Sequence, residues 1–169
     1  MVKLIYSKGE INMKRKLKKG KEYIILEIIP TAITPSKGPI AQLSALKIKD
    51  LKLLDRFDYR LEEKLIYNRD ILNMINYDKD KFKYVNSGNI ILDDFKKWAD
   101  NLDLLIIDNE YTLNYLKELD NEKKSIFKYL NLEFSDDVID KIMKKYNLKP
   151  SNHIVDLLYE SLIYESNNK

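Results

Sequence analysis

The feature that most constrains the fold is a short, nearly continuous apolar run, Tyr23–Ile29, that contains a single acid, Glu27. Its length and its β-branched residues favour a strand buried on both faces. The prolines and glycine between Pro30 and Pro39 then indicate a loop. The run therefore predicts an internal strand of a sheet, with one carboxylate near its end.

Two further strands are predicted directly after this loop. Ile40–Lys49 returns to a strand pattern, "KDLK" (Lys49–Lys52) is typical of a turn, and Leu53–Leu61 has the pattern of a third strand. Three consecutive strands with short connections predict an antiparallel meander.

The second half of the chain is mostly helical in pattern. Leu65–Ile75 and Ile91–Leu102 are predicted helices, and "LDLLIID" (Leu102–Asp108) is a predicted buried strand. Further helices are predicted over Tyr111–Leu119, after a cap at Ser135, and after Ser151 or Asn152, the last with Ile154, Val155, Leu158 and Leu162 facing inward. This order predicts an α/β fold in which helices pack on a mixed sheet, as in the ribonuclease H-like fold.

Composition bounds the class of protein. A chain of 169 residues suits one domain with a sizeable core. It has no cysteine, which rules out disulfides and thiolate metal sites. No apolar run is long enough to cross a bilayer, and the start lacks the apolar segment of a signal peptide. We therefore expect a cytoplasmic protein without a membrane partner.

Charge is unevenly distributed along the chain. Residues 1–21 carry eight Lys or Arg against one acid, a net +7, so residues 22–169 sum to −4 within a total of +3. The excess lies in six side chains that could neutralise phosphates: Lys14, Arg15, Lys16, Lys18, Lys19 and Lys21. The alternative is a solvated arm that keeps the protein soluble. We expect residues 1–21 to form a basic N-terminal extension and residues 22–169 to form the folded domain.

Four stretches together resemble the DEDDh 3′–5′ exonucleases, the group that includes the proofreading subunit of bacterial DNA polymerase III. They are "LEIIPTAITP", "IAQLSALKIKDLK", "LLIIDNEYTLNYLKEL" and "YNLKPSNHIVDLLYESLIY". The resemblance covers roughly residues 22–165 and implies a ribonuclease H-like fold. It also implies cleavage by two divalent cations, Mg²⁺ or Mn²⁺, held by carboxylates, with a histidine as general base.

The resemblance implies a depleted active site when it is carried over residue by residue. Glu27 stands at the first strand acid, and Asp156 stands at the last acid of the family. Ile29 stands two residues after Glu27, where the family has a second acid on the same face of the strand. The middle acid corresponds to Thr112 or Leu113, and the general base corresponds to Ser151.

Other polar residues offer little compensation. Asp108 and Glu110 lie in the turn before the middle helix, and His153 should face away from the base position because two residues rotate a helical side chain by roughly 200°. Glu27 and Asp156 are either remnant ligands of a weak metal site or polar groups satisfied by backbone and water.

Three functions are compatible with these observations. The first is a pseudoenzyme that keeps the exonuclease-like fold, has lost catalysis and binds single-stranded DNA or RNA, without a cofactor. The second is a protein-interaction module, for example an inhibitor or regulator of a nucleic-acid enzyme. The third is a residual metal-dependent exonuclease that uses Glu27, Glu110 and Asp156 with Mg²⁺ or Mn²⁺.

Overall fold

The structure is a computed structural model that describes residues 17–32, 37–100, 102–106, 115, 129–130, 143–145, 147 and 154–167. Its strands are β1 (Glu22–Pro30), β2 (Ile40–Lys49), β3 (Lys52–Leu61), β4 (Lys83–Val85), β5 (Asp103–Ile106) and β6 (Tyr129–Leu130). Its described helices are α1 (Arg69–Met74), α2 (Gly88–Ala99) and α3 (Ile154–Asn167). Short 3₁₀ turns cover Glu63–Leu65 and Lys79–Lys81.

The predicted meander is confirmed. β1 pairs antiparallel with β2, and β2 pairs antiparallel with β3. The turn between β2 and β3 is tight, because Asp50 and Leu51 both take left-handed conformations with φ of 48° and 63°. The hydroxyl of Tyr159, in α3, donates to the carbonyl of Leu51 over 3.2 Å, so the last helix covers the end of this hairpin.

Parallel strands extend the meander on both sides. β5 pairs parallel with β1, and β6 pairs parallel with β5, whereas β4 adds in parallel to β3. The order across the six described strands is β4-β3-β2-β1-β5-β6. This is the mixed sheet that the sequence predicted, with β1 in its interior.

The two faces of the sheet differ in chemistry because successive side chains of a strand alternate between them. One face is apolar and packs against α2, whose Ile91, Phe95 and Ala99 are buried in the same core as Ile24, Leu26 and Ile28 of β1. Glu27 lies on the other face, together with Ile25 and Ile29. The candidate acid Glu27 therefore lies on the face of the sheet opposite the core that contains α2.

The prediction of one helix over Leu65–Ile75 was wrong. The chain instead makes a 3₁₀ turn and then starts α1 at Arg69. The reason is a cap, since the side chain of Asn68 accepts hydrogen bonds from the backbone N–H groups of Asp70 (2.9 Å) and Ile71 (3.4 Å). Asparagine in this position satisfies backbone donors that a helix start leaves unpaired.

This cap leads to a stability prediction. Asn68→Ala should lower the free energy of unfolding by about 1 kcal/mol, because the first turn of α1 loses its side-chain acceptor. Asn73→Ala is the matched control, since Asn73 is exposed within the same helix and alanine favours helix. Urea denaturation of both variants checks the prediction, and equal midpoints for the two would contradict the capping role.

The other predicted elements have varied outcomes. The helix predicted over Ile91–Leu102 is α2, which begins three residues earlier after the cap Ser87 and ends where Asp100 adopts a φ of 47°. The last helix is confirmed as α3, with Val155, Leu158 and Leu162 buried. The helices predicted over 111–119 and after Ser135 lie outside the described residues, apart from a helical Tyr115 in the first and helical residues 143–145 in the second. No helix in the described ranges is long and apolar enough to span a bilayer.

Candidate functional site

The second face of the sheet carries a row of three polar side chains on three adjacent strands. Glu27 of β1 is paired in register with Ser44 of β2, and Ser44 is paired with Asp58 of β3. We call Glu27, Ser44 and Asp58 the polar row. Its acceptor atoms Glu27 Oε2, Ser44 Oγ and Asp58 Oδ1 are buried and have no hydrogen-bond partner in the described part of the chain. Each unpaired buried polar group costs roughly 1–3 kcal/mol, so three together are unusual.

Glu27 is almost completely enclosed, with 4% of its surface exposed. Burial raises the pKa of its carboxyl group from 4.5 to about 7, because removal from water penalises the charged form. Near neutral pH a large share of the molecules therefore carry a proton on Glu27. A carboxylic acid in that state supplies no full negative charge to a cation.

Asp156 of α3 is held above the same face by Arg56 of β3. The two terminal nitrogens of Arg56 donate to the two carboxylate oxygens of Asp156 over 2.8 and 3.1 Å. The Nε of Arg56 donates to Oδ2 of Asp58 over 2.8 Å. These hydrogen bonds, the bond to Asp156 foremost, raise the pKa of Arg56 above its ordinary value. A guanidinium thus neutralises the charge of the acid that the resemblance placed in a metal site.

The next row along the strands contains no acid. Ile29 of β1 is paired with Gln42 of β2, and Gln42 is paired with Arg60 of β3. Arg60 is fully buried, and its guanidinium donates to Oε1 of Gln42 over 2.9 and 2.6 Å and to the carbonyl of Tyr77 over 3.1 Å. The same guanidinium lies 3.8 Å from the ring centre of Phe82. The position that corresponds to the family's second strand acid is therefore occupied by a hydrocarbon side chain, Ile29. A buried positive charge, Arg60, lies two strands away in the same row.

The hydroxyl of Tyr77 closes this second row by accepting a hydrogen bond from Nε2 of Gln42 over 3.0 Å. Burial is the main reason that the pKa of Tyr77 is raised. Tyr77 is therefore a neutral partner in this hydrogen-bond network and supplies no anionic oxygen at physiological pH.

The structure places Glu27 and Asp156, the two predicted site residues, on one face of the sheet. Asp156 contacts Arg56, which is two residues from Asp58 of the polar row. The residues matched to the middle acid and the general base, Thr112, Leu113 and Ser151, lie outside the described residues. So do Asp108, Glu110 and His153, the residues considered as substitutes.

The basic run is described only in part. Lys14, Arg15 and Lys16 lie outside the described residues, whereas Lys18, Lys19 and Lys21 are exposed just before β1. Lys21 forms an ion pair with Asp103 and lies 5.4 Å from the ring centre of Tyr23. Glu27 is six residues further along the strand, about 20 Å away at the usual rise. The described lysines therefore lie at the opposite end of β1 from the polar row.

Sequence reasoning missed the residues that surround the two acids, namely Gln42, Ser44, Arg56, Asp58 and Arg60. A signal for them was available. Polar residues recur at every second position in "RFDYR" (Arg56, Asp58, Arg60) and in "QLS" (Gln42, Ser44), in strands that pair next to a buried one. Such alternation places all five on one face, and register with Glu27 identifies which face.

Acidic and histidine side chains do not assemble into a conventional metal centre in the part of the chain that the structure describes. No three Asp, Glu or His residues come together there. The polar row itself combines two carboxylates with one hydroxyl.

Comparison with known proteins identifies the fold. No protein-family model and no curated protein matches the chain. Among solved structures, it is similar to a product-bound exonuclease I (TM-score 0.53, 7% identity, 87% of this chain and 43% of that one). It is also similar to exonuclease I in complex with an inhibitor (TM-score 0.52, 8% identity, 86% of this chain and 40% of that one).

These likenesses show the fold and nothing finer. The chain adopts the mixed α/β, ribonuclease H-like fold of exonucleases, as the sequence predicted. It spans about two fifths of the length of either exonuclease I structure. At 7–8% identity, activity and ligands are not inherited from the likeness and have to be argued from the site.

Proposed function

We propose that this chain is a pseudoenzyme: it keeps an exonuclease-like fold, has lost two-metal phosphodiester cleavage, and binds single-stranded nucleic acid. The observation that carries the loss of catalysis is the double hydrogen bond from Arg56 to Asp156. It engages both oxygens of one of the two acids that match the family. The other acid, Glu27, is buried with a pKa of about 7.

Electrostatics supports the proposed loss of two-metal cleavage. A pair of divalent cations needs several converging anionic oxygens to offset the cost of dehydration. The face instead presents Ile29 and two guanidinium groups, Arg56 and the fully buried Arg60. Each positive charge opposes the entry of a second metal ion. Loss of a general base, where the chain has Ser151, would by itself cost about 10²–10⁴-fold in rate.

Binding of nucleic acid is proposed from the basic extension, residues 1–21, that precedes the domain 22–169. Lys18 and Lys19 are exposed, and Lys21 is the one described lysine of the run that pairs with an acid. Side chains of this kind neutralise phosphates and release counterions, which gives affinity without sequence preference. The likeness to exonuclease I supports a nucleic-acid ligand, either DNA or RNA, and a cytoplasmic location is part of the proposal.

Titration of labelled single-stranded DNA and RNA with the full chain tests this role. Five basic residues are replaced by glutamine in the test variant: Lys14, Arg15, Lys16, Lys18 and Lys19. The matched control replaces five exposed lysines elsewhere: Lys64, Lys79, Lys81, Lys83 and Lys97. The test variant should bind at least about tenfold more weakly, with a salt slope smaller by about 3, whereas the control should change little. Equal weakening in both variants would contradict a specific role of the basic extension.

One observation favours a second candidate, a protein-interaction module such as an inhibitor or regulator of a nucleic-acid enzyme. Residues 22–169 sum to −4, which disfavours polyanion binding by the domain itself. If the full chain shows no salt-dependent binding to either nucleic acid, this candidate replaces the first.

A further inference from the structure

The end of the basic extension is fixed against the hairpin that joins β2 to β3. Its last residues form a turn, in which the N–H of Lys21 donates to the carbonyl of Lys18 over 3.2 Å. Gly20 takes a φ of 76° in this turn, which glycine adopts without strain. The N–H of Gly20 donates to Oδ1 of Asp50, in the hairpin turn, over 2.7 Å. The extension therefore enters β1 along a defined path.

Two more contacts hold the same segment. The N–H of Lys18 donates to the hydroxyl of Tyr23 in β1 over 2.9 Å, and the side chain of Lys21 pairs with Asp103 of β5. Together with the bond to the hairpin turn, these contacts tie the segment to β1, to β5 and to the hairpin. They leave the side chains of Lys18 and Lys19 exposed and without an acid partner in the described part of the chain.

The hairpin supplies two further lysines at this end of the sheet. Lys49, the last residue of β2, and Lys52, the first residue of β3, are paired in register and are both exposed. Residues paired in this way lie about 5 Å apart, so the two side chains start from neighbouring points. Lys49 pairs with Glu22 over 3.8 Å at the surface, and Lys52 has no acid partner among the described residues.

One hydrogen bond brings the lysines of the extension next to those of the hairpin. It joins Gly20 to Asp50. Lys19 directly precedes Gly20, and Lys49 directly precedes Asp50. The exposed lysines of the two segments therefore belong to one continuous surface.

We propose that these side chains bind the phosphate backbone of single-stranded nucleic acid as one surface, the hairpin patch, which consists of Lys18, Lys19, Lys49 and Lys52. This assignment rests on the proposed function and extends the binding site from the extension to the folded domain. The net −4 of residues 22–169 is not spread evenly, since the hairpin end carries these exposed lysines. Such side chains neutralise phosphates and read no base. The patch lies at the opposite end of β1 from Glu27.

Two partly exposed leucines adjoin the patch, Leu53 at 41% and Leu54 at 50%. Lysines beside apolar side chains also occur on proteins that bind anionic bilayers. Here the N–H of Leu53 donates to the hydroxyl of Tyr159 over 3.1 Å, so the start of β3 is held against α3 and its leucines stay half covered. Nucleic acid is therefore the favoured partner, and bilayer binding is an outcome that the experiment distinguishes.

Titration of fluorescein-labelled oligothymidylate with the full chain, repeated at several KCl concentrations, tests the patch. Lys49→Gln with Lys52→Gln should weaken binding about tenfold and reduce the salt slope by about 1.4, since each phosphate contact on a single strand contributes about 0.7. The control is Lys64→Gln with Lys79→Gln, which makes the same change in net charge at two exposed lysines beyond the other end of β3. The control should bind like the wild type.

Two substitutions of Asp50 test the docking of the extension at equal net charge. Asp50 has a φ of 48°, a conformation that both asparagine and glycine accept. Asp50→Asn keeps a side-chain oxygen for the N–H of Gly20, whereas Asp50→Gly removes it. Hydrogen exchange of the Gly20 amide, followed by NMR, should be faster in Asp50→Gly than in Asp50→Asn. Asp50→Gly should also bind oligothymidylate several-fold more weakly than Asp50→Asn.

The outcomes separate the patch from the proposed function. Equal binding by the two lysine double variants would overturn the patch and leave binding by the extension standing. Equal affinities of the two Asp50 variants would likewise overturn a joint surface. Absence of oligothymidylate binding by the wild type would overturn both proposals. Binding to vesicles that contain phosphatidylserine, without binding to oligothymidylate, would assign the patch to a bilayer and overturn its assignment to nucleic acid.

Discussion

Arg56→Ala is expected to lower the free energy of unfolding by about 3 kcal/mol. The guanidinium is hydrogen bonded to Asp58, whose side chain is 7% exposed, and to both oxygens of Asp156. Its removal leaves a buried carboxylate without a counter-charge, which in proteins costs about 3–5 kcal/mol. We expect the lower end of that range because Arg56 itself is one-third exposed. Guanidinium chloride denaturation in EDTA at mildly alkaline pH measures the effect.

Two further variants determine whether charge is the cause. Lys64→Ala removes a partner of Glu62 from an exposed ion pair and should change stability by less than about 0.5 kcal/mol. Adding Asp58→Asn to Arg56→Ala neutralises the stranded carboxylate and should restore roughly half of the loss. A loss below about 1 kcal/mol for Arg56→Ala would show that Arg56 does not hold α3 on the sheet.

Glu27→Gln is expected to stabilise the protein by about 3 kcal/mol at about pH 8. The folded state raises the pKa of Glu27 from 4.5 to about 7, so the folded protein binds this proton more tightly than the unfolded chain. The contribution of Glu27 to the free energy of unfolding is fully present below pH 4.5. It is lost as the pH rises towards 7 and changes no further above that pH. A difference of about 2.5 pKa units corresponds to about 3 kcal/mol.

The measurement is the difference in unfolding free energy between wild type and Glu27→Gln across about pH 4 to 8, in EDTA so that no divalent cation offsets the charge. Other titrating groups cancel in this difference. Glu63→Gln is the control, because Glu63 is about half exposed and pairs with Lys79. A flat difference between wild type and Glu27→Gln across this range would contradict the raised pKa.

The fold was largely predictable because its signals are local. A run of β-branched residues, a turn at Asp50 and Leu51, and a third alternating segment specify the meander without knowledge of distant contacts. The face of α2 that packs on the sheet carries Ile91, Phe95 and Ala99, which recur at helical spacing in the sequence. The break at Asn68 was missed because a single side chain, accepting two backbone N–H groups, overrode the helical periodicity.

The site was less predictable because it depends on pairs that are distant in sequence. Glu27 and Asp156 were found through the resemblance, but their states depend on burial and on Arg56, which is 100 residues from Asp156. The sequence shows that Ile29 lacks a carboxylate, yet it does not show that Arg60 lies two strands away in the same row. Strand register brings Arg60 into the row of Ile29, and the packing of α3 on the sheet brings Asp156 to Arg56.

These contacts support the proposal that catalysis has been lost from a fold similar to that of exonuclease I. The hydrophobic core around β1 and α2 lies on the opposite face of the sheet from the polar row. On the face of the polar row, Arg56 supplies a fixed positive charge that holds Asp156 of α3 to β3. A guanidinium carries charge but, unlike a metal ion, it does not generate a hydroxide nucleophile from bound water.

Incubation of the purified full chain with end-labelled single-stranded DNA and RNA in Mg²⁺ or Mn²⁺ tests the proposed loss of catalysis most directly. We expect no shortening of either substrate beyond that seen with the double variant Glu27→Ala and Asp156→Ala. Stepwise degradation from the 3′ end by the wild type, lost in both single variants Glu27→Ala and Asp156→Ala, would contradict the loss of catalysis and assign a working exonuclease to this fold.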